Sequence, residues 1–495
     1  MITEIKTKYG VLRGRAEGGV ARWLGIPYAA PPVGELRFRR AAECPPFGER
    51  DCFAFPDRPV QFLKFSRGSA RESEDCLYLN VWRPDDDRRN LPVFVWIYGG
   101  GFAFGESGDP GYDGSAYARE GVVFVSMNYR LGPLGCYPFA LYAPEAFDTN
   151  CTLSDQLAAL RWVHENISAF GGDPDNVTVA GESAGGSSVC YLMASPAAAG
   201  LFSKAIVQSG IPAFTFSDTT AKLHLDMFLR FMGMERGDIT RLRDMPAAAM
   251  KKAARLMFTE NSVLHPGLGQ PGPVFDDLLP SLAVTAAKEG RTRGIKLLIG
   301  TNRNEGTLFN MLGWFIRSRA QAERMCRDCG CEDRLAELEA LYSHLRGSRR
   351  KYSAMATDRL FVKDSVLLAD AQSAHSDVWM YRFDYAPPLM RLLGFGAVHS
   401  VDIAPALGTF GAKKTNTALA WKGAPERRRE EFRRKLMGSW LNFVRTGDPT
   451  GCSDCRWDVY DAAHRPTLVM DRPDRQEYDP DERAVAVWSG LDIHS

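Results

Sequence analysis

The sequence predicts an α/β fold, with a mostly parallel sheet wound by helices on both faces. Short apolar runs recur at 91–98, 121–126, 205–208, 295–300 and 378–383, the pattern of strands buried on both sides. Between them lie stretches with apolar residues at helical spacing, such as Leu153, Leu157, Leu160, Val163 and Ile167. A third observation ties strand to helix. Val177, Val179 and Ala180 end a strand, Gly181-Glu182-Ser183-Ala184-Gly185 follows, and 188–192 continues as an apolar helix.

Taken in order, residues 10–40 are rich in Gly and Pro, densest at 25–34, and read as turns linking short strands. The stretch 76–82 alternates like a strand, and 91–98 reads as a fully buried one. Tyr98-Gly99-Gly100-Gly101-Phe102 comes directly after it. Residues 170–176 read as a loop leading to the strand before Ser183. Two helical insertions are expected, at about 219–260 and 309–377, within one domain spanning 1–495. The run of charges at 427–435 overlies Phe432, Leu436, Trp440 and Phe443 at helical spacing, so it reads as the solvated face of a helix.

Composition narrows the function classes. The 495 residues are 45% hydrophobic and 24% charged with a net charge of +1, so no global field argues for nucleic acid or an anionic membrane, and neither is expected as a partner. The first ten residues lack the apolar core of a signal peptide, and no apolar run near the sheet is long enough to span a bilayer. Eleven cysteines, an odd number, favour reduced thiols and a cytoplasmic location.

The chemistry centres on Ser183. A residue held between a strand and a helix in so few positions adopts a strained backbone, and Gly181 and Gly185 let neighbouring backbone pack tightly around it. The Ala184 N–H at the helix start can face a developing oxyanion. A serine nucleophile needs a base and an acid that orients the base, in chain order Ser, acid, His on such a sheet. Glu305 follows the strand 295–300, whereas Asp276 and Asp277 follow a Pro-rich turn. Among the later histidines, His344 and His375 fall in helical segments, His464 in a turn and His494 at the chain end. His399, in a Gly-containing loop after the strand 378–383, is the best placed base. The triplet 99–101 can turn its amides to one point; no Gly-Lys-Ser/Thr follows, so it is not a phosphate loop. Just beyond it, Phe102, Phe104 and Tyr112 are candidates for an apolar substrate pocket.

These pieces together resemble the type B carboxylesterases, the α/β-hydrolase family that includes cholinesterases and bacterial p-nitrobenzyl esterases. The resemblance spans nearly the whole chain. It rests on the stretch from Phe170 through Gly-Glu-Ser183-Ala-Gly and on Glu74-Asp-Cys-Leu-Tyr-Leu-Asn-Val-Trp-Arg-Pro84. It implies a triad of Ser183, Glu305 (in Gly300-Thr-Asn-x-x-Glu-Gly306) and His399 (in Gly396-Ala-x-His-x-x-Asp402). It further implies oxyanion donors at Gly100, Gly101 and Ala184, with Glu182 and Ser209 supporting the triad from behind. Three departures stand out. The cysteine that relatives pair with the one at Cys76 is replaced by Val60, before Gln61, with Cys52 a conceivable substitute. The stretch 65–71 has no tryptophan and adds Arg67 and Arg71. The segment after His399, Ile403-Ala-Pro-Ala-Leu-Gly, lacks the usual aromatic.

The expected activity is carboxylic-ester hydrolysis through an acyl-enzyme, on uncharged esters of short to medium acyl chains and not on choline esters. A lipase, thioesterase or amidase on the same triad is the alternative, and a non-catalytic binding module the rival from another class. No cofactor or metal is expected. Cys326, Cys329, Cys331, Cys452 and Cys455 have pairwise spacings that suit zinc, but the two groups lie far apart in sequence and the resemblance implies no metal. A small-molecule ester is the expected partner, with a monomer favoured.

Overall fold

A 13-stranded sheet runs through the protein. In the computed structural model residues 1–63, 71–265, 271–328, 330–413, 415–489 and 491 are described. The strands are β1 (Ile2–Thr7), β2 (Gly10–Glu17), β3 (Val20–Pro27), β4 (Gly48–Asp51), β5 (Tyr78–Pro84), β6 (Leu91–Ile97) and β7 (Val123–Met127). They continue as β8 (Gly172–Glu182), β9 (Lys204–Gln208), β10 (Lys296–Asn302), β11 (Val378–Phe383), β12 (Pro466–Met470) and β13 (Arg475–Tyr478). Across the sheet the order is β1-β2-β3-β5-β7-β6-β8-β9-β10-β11-β12-β13, with β4 beside β2. The central run from β7 to β12 is parallel. Both flanks are antiparallel, except that β4 runs parallel to β2.

The central strands are buried on both faces because helices cover both. Val93, Val95 and Ile97 of β6 face one apolar cluster, and Phe94 and Trp96 face the other. The principal helices are α1 (Cys151–Asn166), α2 (Ala184–Ala194), α3 (Asp218–Met232), α4 (Ala247–Leu264) and α5 (Glu305–Leu312). After them come α6 (Ser348–Thr357), α7 (Lys363–Ser373), α8 (Pro388–Leu392), α9 (Asn416–Ala420) and α10 (Glu426–Thr446), with a π-helical turn at Asp358–Val362. Phe432, Leu436, Trp440 and Phe443 of α10 are all buried, under a face of exposed arginines and glutamates.

Three local readings of the sequence need correction. The segment 172–176 belongs to β8 and is not a loop, though the register with β6 shifts between Gly172 and Val177. Gly25 lies inside β3 at φ +77, where the pairing with β5 slips between Trp23 and Ile26; the glycine accommodates the irregularity instead of ending the strand. His344 sits in a turn beyond the preceding helix, and His375 follows the end of α7. His494 lies outside the described residues.

The second long motif is explained by packing. Glu74 pairs with Arg37 at 2.7 Å, and Asn80 donates to the hydroxyls of Ser107 and Ser126 at 3.0 and 3.1 Å. The Gly25 N–H donates back to Asn80 Oδ1 at 2.9 Å, so this one buried amide ties together three segments. Cys52 and Cys76 are free, buried thiols, and burial pushes the pKa of each upward. Cys326 and Cys331 are buried in one apolar cluster, Cys455 packs against another, and Cys329 lies outside the described residues. Among the described residues no three His, Cys, Asp or Glu side chains are grouped to hold a metal ion.

Candidate active site

The triad candidates and the glycine triplet sit beyond the carboxyl ends of parallel strands: the triplet after β6, Ser183 after β8, Glu305 after β10 and His399 after β11. The β8–α2 turn is tight enough to put Ser183 at φ +58, ψ −124, a region L-residues rarely occupy. Only glycine fits beside it. A Cβ on Gly185 would stand 2.0 Å from the Ile97 carbonyl oxygen of β6. The strained serine is held by its neighbours: its N–H donates to the Gln208 carbonyl of β9 at 2.9 Å, and its carbonyl accepts from Ser187 N–H at 2.9 Å.

Glu305 opens α5 fully buried, and both its oxygens are engaged. Oε2 accepts from His399 Nδ1 at 2.6 Å. Oε1 accepts from the Asn302 N–H at 2.6 Å and from the Ser209 hydroxyl. Fixed in this way, the carboxylate holds the Nδ1 edge of the imidazole. The ring packs against Phe309 and Phe361, with centroids at 4.9 and 5.1 Å, and those two rings meet each other at 5.6 Å. The competing acids are used elsewhere, since the Arg40 guanidinium forks between Asp276 at 2.9 Å and Asp277 at 2.6 Å.

Glu182 stands on the other side of the histidine, its Oε1 3.3 Å from His399 Nε2, and it also accepts from the Ser400 hydroxyl. Burial is the largest influence on Glu182 and pushes its carboxyl up to about 7, against the pull of His399 and the Ser400 bond. For His399, burial opposes the charged ring, but the carboxylates of Glu182 and Glu305 outweigh it and raise its pKa above the ordinary imidazole value.

Sequence reasoning did not assign a role to the next shell. Asp402, fully buried, accepts from Asn302 and Gln208 at 3.0 Å each and from the Tyr381 hydroxyl at 3.2 Å. Trp440 Nε1 completes the net by donating to Gln208 Oε1 at 3.1 Å. These residues come from three strands and α10, so no sequence spacing links them. The one available signal was Asp402 itself, three positions after His399.

Ser183, Glu182 and His399 open into a cavity of about 790 Å³ whose wall includes Gly100, Gly101, Phe102, Phe104, Tyr112 and Ala184. A Cβ on Gly100 (φ +113) would meet the Phe104 carbonyl oxygen at 2.1 Å, whereas Gly101 (φ +60) has open space around it. Both segments read as insertions reach the cavity, α4 through Phe258 and the second through Phe309, Met311, Leu312, Trp314 and Phe315. Phe258 meets Trp314 edge to face at 5.3 Å. Glu106 and Asp109 also line the wall, burial raising Asp109 to about 6. After His399, Val401 and Ile403 fill the wall where relatives were expected to carry an aromatic. The stretch 65–70, including Arg67, lies outside the described residues, and Arg71 pairs with Asp57 at 3.5 Å.

A parallel sheet with a strained serine, a buried Glu–His pair and a glycine-lined loop at its strand ends defines an α/β-hydrolase. The chain belongs to the carboxylesterase family, whose model matches residues 2–488, and it is a serine carboxylesterase acting on carboxylic esters. It is 38% identical over 489 residues to the para-nitrobenzyl esterase of Bacillus subtilis (strain 168), covering 96% of both chains. To the cholinesterase of Mus musculus it is 30% identical, across 94% of this chain and 83% of that one. The solved carboxylesterase of Geobacillus stearothermophilus superposes with a TM-score of 0.87 at 35% identity, covering 98% of this chain and all of that one. Among the described residues no helix is long and apolar enough to cross a membrane.

Proposed function

We propose that the chain hydrolyses uncharged esters of short to medium acyl chains through an acyl-enzyme on Ser183. The observation that carries this is the 2.6 Å contact between Glu305 and His399, in one cavity with a serine on a strained strand-to-helix turn. Ser183 Oγ attacks the ester carbonyl while His399 Nε2 takes its proton. Glu305 keeps the proton on Nδ1 and stabilises the imidazolium. The amides of Gly100, Gly101 and Ala184 receive the oxyanion, and the alcohol departs with the proton from Nε2. Water then repeats the two steps on the acyl-enzyme and releases the acid. The aromatic wall formed by Phe102, Phe104, Phe258 and Trp314 supports acyl groups of limited size.

A second reading has a specific observation behind it: Asp109 in the wall would favour an alcohol that carries a cation or hydrogen-bond donors. One panel separates the two. The first reading expects p-nitrophenyl acetate or butyrate to give the highest kcat/KM. Fastest turnover of butyrylthiocholine would favour the second, and fastest turnover of p-nitrophenyl palmitate would favour a lipase. Labelling of Ser183 by a fluorophosphonate tests the nucleophile in either case, and its failure would remove both.

A further inference from the structure

The mouth of the cavity is apolar and basic at once. Met311 and Leu312 end α5, Leu393 follows α8 and Leu419 lies in α9; all four line the cavity, yet they are 42%, 38%, 46% and 45% exposed. A side chain that both lines a cavity and meets solvent stands at its opening. Leu392, next to Leu393, is 83% exposed and is not part of the cavity wall. A leucine so exposed beside four other exposed apolar side chains is the kind of patch that marks a contact surface.

The charged residues on the segments that carry these leucines are all basic. Among the described residues these segments, 309–317, 388–396 and 411–423, contain Arg317, Arg391, Lys413 and Lys422 and no Asp or Glu. Arg317, Arg391, Lys413 and Lys422 are exposed. Among the described residues none of these four makes an ion pair, and Arg391 spends one N–H on the Ala386 carbonyl at 3.2 Å. Elsewhere the surface pairs its arginines freely, as Arg236 does with Asp226 and Arg433 with Glu430.

From this juxtaposition we propose that the cavity mouth docks on the surface of an anionic phospholipid bilayer. The leucines would enter the headgroup boundary and the cations would meet lipid phosphates. The contact is peripheral: the rim residues come from helix ends and short helices, so the protein lies on the bilayer and does not span it. Docked in this way, the cavity opens directly onto apolar solutes held in the membrane. This goes beyond the hydrolytic reading, and because the test reads binding it does not depend on the triad.

The experiment is co-sedimentation of the full chain with phosphatidylglycerol vesicles and, separately, phosphatidylcholine vesicles, at low and high salt. Binding to phosphatidylglycerol that falls with salt, with little binding to phosphatidylcholine, is expected. Leu392→Asp should weaken vesicle binding by about tenfold, and Arg391→Glu by at least about fivefold. Both variants should hydrolyse p-nitrophenyl acetate in vesicle-free buffer as the parent does, which shows that they fold. No binding, equal binding to the two lipids, or binding unchanged by Leu392→Asp would overturn the proposal. A dimer in sedimentation velocity that Leu392→Asp dissociates would also overturn it, by assigning the rim to a second copy of the chain.

Discussion

The floor and the roof of the cavity are built by different physics. On the floor, Ser183, Glu305 and the glycine triplet are fixed by backbone at strand ends, and Glu305 has a partner for each oxygen. The roof, supplied by Phe258, Met311, Leu312, Trp314 and Phe315, presents apolar side chains to the cavity, with Phe258 meeting Trp314 edge to face at 5.3 Å. Hydrogen-bond geometry fails within a few tenths of an ångström, whereas apolar burial varies smoothly with area. Changes to the floor should therefore alter rate, and changes to the roof should alter which ester is preferred.

The largest break is Ser183→Ala. On the floor reading kcat should fall by about 10⁴–10⁶-fold, with KM little changed and thermal stability retained. Near-normal turnover in steady-state assays would move the nucleophile to another serine.

Next come the neighbouring glycines, which the comparison separates. Gly100→Ala forces a Cβ to within 2.1 Å of the Phe104 carbonyl oxygen, while at Gly101 there is nothing within 4 Å. The first should lower kcat by about 10²–10³-fold, as loss of an oxyanion donor does. The second meets only the strain of a positive φ and should lower it less than about tenfold. Equal losses in kcat would mean that the loop's flexibility matters and its fixed shape does not.

A smaller effect is expected from Glu182→Gln, read in the pH profile. On the proposed mechanism His399 must be neutral to take the Ser183 proton, and its raised pKa should place the acid limb of kcat/KM above the ordinary imidazole value. Removing the Glu182 charge withdraws one of the three carboxylates, with Glu305 and Asp402, that favour the imidazolium. The limb should then move to lower pH, and activity on the acid side should rise relative to the plateau. An unmoved limb would show that Glu305 and Asp402 set the base without Glu182.

On the roof, Phe258→Ala should leave turnover of p-nitrophenyl acetate within a few-fold and raise kcat/KM for longer acyl chains. Each additional buried CH₂ contributes about 0.8 kcal/mol, roughly fourfold, until the enlarged pocket is full. A parallel drop on all chain lengths would instead give Phe258 a part in holding the floor.

The same contrast explains what the sequence made readable. Ser183 and the glycine triplet announce themselves because strained or closely approached backbone demands particular residues at fixed spacing. Glu305 and His399 needed the strand order as well as the family resemblance, since an acid or a histidine in a loop is common. Asp402 escaped, because its donors Asn302, Gln208 and Tyr381 meet only once β9, β10 and β11 pair. Ser400 escaped too: a serine at φ +66 donating to Glu182 leaves no mark in the sequence. The antiparallel strands at both sheet edges were only partly legible. β13 alternates weakly, with Arg475 and Glu477 carrying its ion pairs.

The smallest expected effect lies in α3, away from the triad, and concerns stability. His224 is 1% exposed, its ring 5.4 Å from Phe216, and among the described residues neither ring nitrogen has a hydrogen-bond partner. Burial, and secondarily the charge of His265, lower its pKa from 6.5 to about 4. The sign follows from proton binding. Between those two values the unfolded chain takes up a proton at this position and the folded chain does not. Stability is therefore intact above the unfolded value and is lost progressively as the pH falls towards the folded one. His224→Leu replaces an unsatisfied polar ring by an apolar side chain with better helix propensity, and should stabilise by about 1 kcal/mol at neutral pH. The gain should be larger near about pH 5, where the parent has begun to lose stability and the variant has not. Denaturant unfolding of both proteins at the two pH values checks this, with ester hydrolysis unchanged. A stability difference that does not grow on acidification would mean that His224 finds a partner in solution and does not stay neutral when buried.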